Sequence, residues 1–351
     1  MTRPLVVVSA VKHSSATRGH SHTMSKGWVI SLGSGIEQLP LIRAIQSEGY
    51  KCLAFDSNPD APGKDVADHF APVSNRDVDE IERMANGWVG IEGVMAAGSE
   101  VPDVMAILGH RLGCQNIPVA AGLLLKDKLR YKEILKAANV PHTEAHAVYE
   151  GSEKALFDKL KHEVVVKPQR GSGSRGVTVL RHDPMALSIA VIDAQMVCYD
   201  ILMERYVPGP QISSETLLWD GKASTVAFVD RFYDDGSVKE LGGRTPSVYE
   251  HERERAHKVI VLAAQALGIR RGTLKCDLVL PSDGWPKIIE CTARLSGGPL
   301  SKIVKESSGV DYLRQAVRIA CGIEPDWEAL KPKGNKLVSV DMNGEPFQWP
   351  N

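Results

Sequence analysis

No CxxC pair occurs among the six cysteines, Cys52, Cys114, Cys198, Cys276, Cys291 and Cys321. Their scatter argues against a disulfide framework and for reduced thiols in a cytoplasmic protein. No apolar run approaches the roughly 18 residues that span a bilayer, so no membrane protein is expected. Charge of neither sign dominates: Lys+Arg number 42 and Asp+Glu 43, a formal net charge of −1. That balance excludes the basic surface of a nucleic-acid binder and the acidic block of a disordered tail. There is no internal repeat and no low-complexity linker. No Ser-His-Asp or Cys-His set is visible, so chemistry through a protein nucleophile is not expected. The apolar run Leu5–Val8 is too short for a secretory core and leads into polar HSSATRGHSHT, not a small-residue cleavage site. Residues 1–25 therefore read as a disordered tail, with His13, His20 and His22 belonging to it and not to a metal site.

The remaining chain has the means to fold. Its 351 residues are 43% hydrophobic, enough for two or three compact units. Trp28–Leu32 reads as a strand that enters Gly33-Ser34-Gly35. A helix follows with Leu41, Ile42 and Ile45 on one face, capped by Gly49, and a second strand, Lys51–Phe55, ends at Asp56. This is a βαβ unit of a parallel sheet. The glycine pair with an acid about 20 residues on resembles a dinucleotide fingerprint, but Gln38 replaces the third glycine. The turn instead suits a substrate pocket. A further strand over Ile91–Ala96 meets Gly98-Ser99-Glu100, and Val101–Leu112 reads as helical. The pattern changes at Ile117-Pro118, a boundary signal. Next, Leu123–Ala138 has helical spacing and puts Lys128 on the apolar stripe with Leu124, Tyr131 and Leu135. Such a lysine either snorkels to water or points at an anion.

The run Glu163–Pro168 is a strand holding Lys167, and it opens into Arg170-Gly-Ser-Gly-Ser-Arg-Gly176. A Walker A loop is excluded because Val177 follows the last glycine. A dinucleotide turn would start a helix, whereas Val177–Leu180 is β-branched. What remains is a glycine-rich flap between antiparallel strands, whose backbone N–H groups at Gly171, Ser172, Gly173, Ser174 and Gly176 can close on phosphates. The alternative is a flexible hairpin tip. Ile201–Val207 is a strand, and Ser213–Trp219 pairs with Lys222–Asp230 about Asp220-Gly221. A helix over His251–Leu267 precedes the most informative stretch.

That stretch is a hairpin, Thr273–Leu280 with Lys287–Cys291, turning at Asp283-Gly284. Symmetry about the turn sets Asp277 opposite Glu290, and alternation puts Thr292 and Arg294 on the same face. Opposed like charges destabilise a sheet. A divalent cation such as Mg²⁺, held by both carboxylates and by substrate phosphates, would resolve the conflict. Arg294 would reach the same substrate. The competing reading is a solvated hairpin with an ordinary Arg–Glu pair.

Lysine on a helix, lysine with glycine flap, and carboxylate hairpin follow in one order. Together with LKDKLRYKEILKAANVPHT, VVVKPQRGSGSRGV, MERYVPGPQISSETL and KCDLVL…KIIECTARLSGG, they resemble the ATP-grasp superfamily of carboxylate–amine ligases. The resemblance implies an α/β fold: an ATP-grasp clamp behind a Rossmann-like parallel-sheet domain. The expected divisions are 26–118 for the preceding domain, 119–194 and 195–333 for the two clamp subdomains, and 334–351 for a short closing segment. It implies ATP and one or two Mg²⁺, with Mn²⁺ as a substitute. Lys128 and Lys167 would hold phosphates. Glu204 would accept from the adenine amino group, and the backbone of Arg205 and Val207 would read the purine edge. Asp277, Glu290 and the weaker ligand Thr292 would take the metal. Arg294 and Arg244 would act at the transfer site, and Ser296, Gly297 and Gly298 would bind the substrate anion. Gln211 stands where the family's ribose carboxylate is usual, with Glu215 nearby. The implied reaction activates a small-molecule carboxylate as an acyl phosphate and passes it to an amine. A kinase acting on a hydroxyl and a non-catalytic nucleotide module are the alternatives. Homodimerisation is left open.

Overall fold

The computed structural model describes residues 26–234, 238–297 and 299–348. The expected tail, with its three histidines, lies outside the described residues. Three layers follow along the chain. The first holds β1 (Trp28–Leu32), α1 (Leu39–Ser47), β2 (Lys51–Phe55), β3 (His69–Ala71), α2 (Val78–Ala85), β4 (Ile91–Met95) and α3 (Pro102–Arg111). Its four strands are parallel in the order β3-β2-β1-β4. Strand β1 reads Trp-Val-Ile-Ser-Leu and is buried from Val29 to Leu32, the continuous run that a sheet covered on both faces needs.

The Gly33-Ser34-Gly35 turn is closed by its own side chains. Asp56 Oδ2 accepts from the Ser34 N–H (2.9 Å) and Gln38 Oε1 from the Gly35 N–H (2.8 Å). Gln38 Nε2 then donates to Ala97 O (2.6 Å). Gln38, at the place of a third glycine, thus ties the turn to the segment after β4.

The second layer comprises α4 (Val119–Leu125), α5 (Lys128–Ala137), β5 (Ala145–Ala147), α6 (Glu153–Lys159), β6 (Glu163–Pro168), β7 (Thr178–Arg181), α7 (Leu187–Gln195) and β8 (Ile201–Arg205). The single helix expected over Leu123–Ala138 is two helices. Asp127 breaks it by capping α5, accepting from the Arg130 N–H (3.1 Å) and from Gln169 Nε2 (2.6 Å). Lys128 thus starts a helix instead of riding mid-stripe. The strands form an antiparallel sheet, β5-β8-β6-β7. Because β8 lies inside it, this layer runs to Arg205, beyond the limit expected at 194.

The third layer comprises β9 (Gln211–Trp219), β10 (Lys222–Tyr233), β11 (Glu240–Thr245), α8 (Arg253–Ala266), β12 (Arg271–Val279), β13 (Lys287–Thr292), α9 (Leu300–Ser308), α10 (Tyr312–Ala320) and β14 (Val338–Asp341). Its six antiparallel strands run β13-β12-β9-β10-β11-β14, and the closing segment supplies the edge strand β14. One face packs Phe228, Leu274, Cys276 and Cys291 against α8 and α5. The other carries Leu217, Ala227 and Val229 onto α9 and α10 at one end and turns polar at the opposite end. Opposed residues share a face, so Thr292–Lys275–Glu215 form one row on this second face. The next rows are Glu290–Asp277–Ser213 and Val279–Gln211–Arg231. A bulge after Asp277 realigns Leu278 with Ile288, but Asp277 does stand opposite Glu290.

Candidate functional site

A cavity of about 380 Å³ opens between the second and third layers. From one side come Lys128, Lys167, Glu204 and the flap. From the other come Gln211, Arg231, Asp277 and Glu290. The flap joins β6 to β7 and needs its glycines: Gly176 has φ +67°, and a Cβ there would lie 2.8 Å from Asp193 O. Lys128 reaches both walls, donating to Gly171 O (2.8 Å) and pairing with Glu290 (3.3 Å). Lys167 pairs with Glu204 at 2.7 Å, and Lys132 grips the same carboxylate. Burial opposes ionisation of Glu204, but Lys132 and Lys167 overcome it and hold its carboxyl below the usual value.

The opposed Asp277 and Glu290 are compensated from within the chain. Asp277 receives Lys275 Nζ on both oxygens (2.6 and 2.7 Å), Arg231 Nη1 (2.8 Å) and Ser213 Oγ (2.8 Å). Burial raises its pKa, yet Arg231 and then Lys275 prevail and push it well below the carboxylate range. Glu290 is likewise lowered: burial works against it, and Lys128 and Lys167 outweigh both burial and Asp277. Lys275 and Arg231 were not among the expected site residues. Lys275 was legible, two residues before Asp277 on one strand face. Arg231 was not, because only the β9–β10 register brings it to Gln211.

A recess of about 50 Å³ continues the cavity past Ser172 and Gly173, and is walled by Lys275, Thr292, Arg294 and Glu100. Glu100, from the turn after β4, accepts from Thr292 Oγ1 (2.6 Å) and from Arg294 Nε and Nη2 (3.2 and 3.1 Å). Nothing local marked this acid. The layers close tightly here. A Cβ on Gly297 would lie 2.7 Å from Gly98 Cα, so only glycine permits the contact.

Several expected placements differ. Arg244 pairs with Asp230 across β10 and β11, one residue out of step with Arg231, and so faces away from the cavity. There it grips Asp230 Oδ2 through Nε (3.0 Å) and Nη2 (2.9 Å). Glu215 does not neighbour Gln211 at the cavity. It is buried two rows away and accepts the Ser296 N–H (3.2 Å). Ser296 therefore offers no free N–H to a substrate, and Gly297 packs against Gly98. Gly298 lies outside the described residues. Arg205 N–H already donates to Glu144 O (2.9 Å), while Arg205 and Val207 line the cavity. Thr292 directs its hydroxyl proton to Glu100, away from Asp277.

Residues 125–298 match the family model of an ATP-grasp domain. A D-alanine–D-alanine ligase of Cereibacter sphaeroides is 30% identical over 239 residues, covering 67% of this chain and 71% of that protein. The chain belongs to the ATP-grasp superfamily. Solved structures agree in fold. An L-amino acid ligase from Bacillus licheniformis superposes with a TM-score of 0.73 at 22% identity, over 90% of this chain and 79% of that one. A phosphoribosylglycinamide synthetase from Anaerococcus prevotii gives 0.70 at 21% identity, over 90% and 80%.

This ATP-grasp protein is an ATP-dependent carboxylate–amine ligase. The donor set suits the expected metal. Asp277 and Glu290 offer only hard oxygen ligands at the cavity wall, and Mg²⁺ typically takes one or two carboxylates beside substrate phosphates. Among the described residues there is no third carboxylate, histidine or cysteine grouped with them. None of the described helices is long and apolar enough to cross a membrane.

Proposed function

We propose that this ATP-grasp enzyme transfers the γ-phosphoryl group of ATP to a substrate carboxylate and joins the resulting acyl phosphate to an amine. The carrying observation is the single cavity into which Lys128, Lys167, the flap, Asp277 and Glu290 converge, continued by a recess with cations and a carboxylate of its own. In the first step a carboxylate oxygen attacks phosphorus and ADP leaves. In the second the amine nitrogen attacks the acyl carbon, a C–N bond forms, phosphate departs and the amine loses a proton.

Glu204 and the Val207 peptide read the base, and Gln211 lies toward the sugar. Lys128 and Lys167 hold phosphate oxygens, and the flap closes over them to exclude water. Asp277 and Glu290 would hold Mg²⁺, which would supply neutralisation of the phosphate charge. Lys275 and Arg231 brace the transferring group. Arg294 is held by Glu100 through Nε and Nη2 and by Leu295 O through Nη1 (3.1 Å), and its remaining Nη1 and Nη2 protons face the anionic substrate. Catalysis on this plan is positioning and electrostatics, with no covalent enzyme intermediate.

The test is a screen of carboxylate and amine pairs for ADP release, with mass spectrometry of the product and hydroxylamine present in parallel. Hydroxamate formation supports the acyl phosphate. ADP release with a phosphorylated hydroxyl as product would replace this reading with a kinase.

A further inference from the structure

Helix α5 carries three lysines at successive turns, Lys128, Lys132 and Lys136, and of these only Lys128 enters the nucleotide cavity. Lys132 lies behind Glu204, 2% exposed, and is absent from the cavity wall. Its Nζ donates to Thr143 Oγ1 (2.6 Å) and to Glu204 Oε1, the oxygen that Lys167 also holds at 2.7 Å. Thr143 Oγ1 in turn donates to Glu204 Oε2 (2.8 Å), and its own N–H is fixed on Ile288 O (3.0 Å). One buried carboxylate thus has two buried ammonium partners and a hydroxyl, where charge balance needs a single cation.

The surplus has a use. A buried carboxylate stripped of its counter-ion is strongly destabilised. Were Lys167 the sole partner of Glu204, it could not turn to a phosphate without stranding that charge. With Lys132 in place, Lys167 is free to leave. Glu204 also keeps its ionised form, and of roughly four lone-pair sites on a carboxylate three are occupied, which leaves one for an incoming amino group.

We propose that Lys132 is a positioning residue, the resident counter-ion of Glu204, whose function is to release Lys167 to nucleotide phosphate. The proposal rests on the reading of Lys167 as a phosphate ligand. Lys132 acts on the nucleotide only through Glu204 and Lys167, and Thr143 fixes the geometry of that relay.

A double-mutant cycle on the full chain tests it, with affinity for a non-hydrolysable ATP analogue in Mg²⁺ measured by calorimetry. Lys132→Met should weaken binding about tenfold, because Lys167 is then pinned to Glu204. Lys167→Met should weaken it comparably, and adding Thr143→Val to Lys167→Met, a pair that leaves Lys132 on Glu204, should change affinity by less than about twofold further, since the residues act as one unit. Thr143→Val, nearly isosteric, should shift affinity the same way by a smaller factor and show the same non-additivity. It carries the test if Lys132→Met fails to fold. A merely structural role for Lys132 would lower the unfolding temperature and leave the coupling of Thr143 with Lys167 at zero. Multiplicative losses, or Lys132→Met and Thr143→Val binding like wild type while Lys167→Met binds weakly, would overturn the counter-ion role alone. Unchanged affinity in Lys167→Met would remove Lys167 from the phosphates and overturn both readings.

Discussion

Glu100 and Arg294 are 194 positions apart in the chain and 3.1 Å apart in the fold. One comes from the turn after a parallel strand of the first layer and the other from the turn after the carboxylate hairpin. Their pairing, with Thr292 on the second Glu100 oxygen, orients the guanidinium at the recess beside the larger cavity.

Arg294→Lys should therefore lower kcat by roughly 10²-fold while nucleotide affinity stays within about threefold, because an ammonium cannot match the fork on two oxygens. Glu100→Gln should lower kcat less, by about tenfold, through a loosened Arg294. Steady-state kinetics on the screened substrate pair decide this. A rate within threefold of wild type for Arg294→Lys would reduce it to a structural partner of Glu100.

Removing Glu290 should abolish turnover in Mg²⁺ and leave the fold standing. Its side chain is 39% exposed and its partner Lys128 keeps a hydrogen bond to Gly171 O. Circular dichroism should match wild type for Glu290→Ala, while ADP release falls to background over a titration of Mg²⁺ and Mn²⁺. Turnover near the wild-type rate would take Glu290 out of the metal site.

Arg244 points away from the chemistry and should matter to stability instead. Arg244→Met leaves Asp230 with Ser247 and the Val248 N–H but without its buried cation. A loss of about 3–5 kcal/mol is expected for a broken buried pair. Below the lowered melting temperature, turnover should remain within about twofold of wild type, a mild effect for a residue away from the reacting groups. Denaturant unfolding and kinetics on one preparation separate the two effects.

Glu215 predicts a pH effect on stability. Burial pushes its carboxyl from 4.5 up to about 7, against the opposing pull of Ser296, Lys275 and Arg294. A folded pKa above the unfolded one means the contribution is complete below pH 4.5 and disappears as pH rises through about 7. Glu215→Gln, neutral throughout, should gain stability relative to wild type across that window, by on the order of 3 kcal/mol. A stability difference that is flat with pH from 4 to 8 would show that Glu215 is not shifted.

Periodicity and turn chemistry made most elements legible. The hairpin register at Asp277 and Glu290, the strand at Lys167 with its flap, and the βαβ opening all stand where local pattern put them. Charge partners were less legible. Spacing could call for a cation opposite two carboxylates but could not tell a metal from Lys275 and Arg231, which arrive along the same strand and from across the sheet. Arg244 was put at the transfer site by the resemblance alone, and no local pattern showed that the β10–β11 register turns it to the other face. The break at Asp127 was hidden by an apolar stripe that continues through two helices. Glu100 acquires its role only through packing between layers, and Lys132 only through the packing of α5 on β8 within one.

The Gly98–Gly297 contact has a mechanical consequence. Backbone bonds from Gly98 N–H to Leu295 O (3.1 Å) and from Leu295 N–H to Ala96 O (3.2 Å) fasten the first layer to the turn that carries Arg294. The substrate side of the cleft is therefore a fixed jaw, set by peptide groups and not by adjustable side chains. Among the described residues, the flap-bearing sheet has no such fastening at the flap end. It is tied to the third layer beside β13, by Thr143 N–H on Ile288 O (3.0 Å) and Ile288 N–H on Pro141 O (3.1 Å), where α5 also packs on that layer. Any opening of the cavity between the two layers therefore has its hinge on the β13 side and its travel at the flap, with the Arg294 side held still.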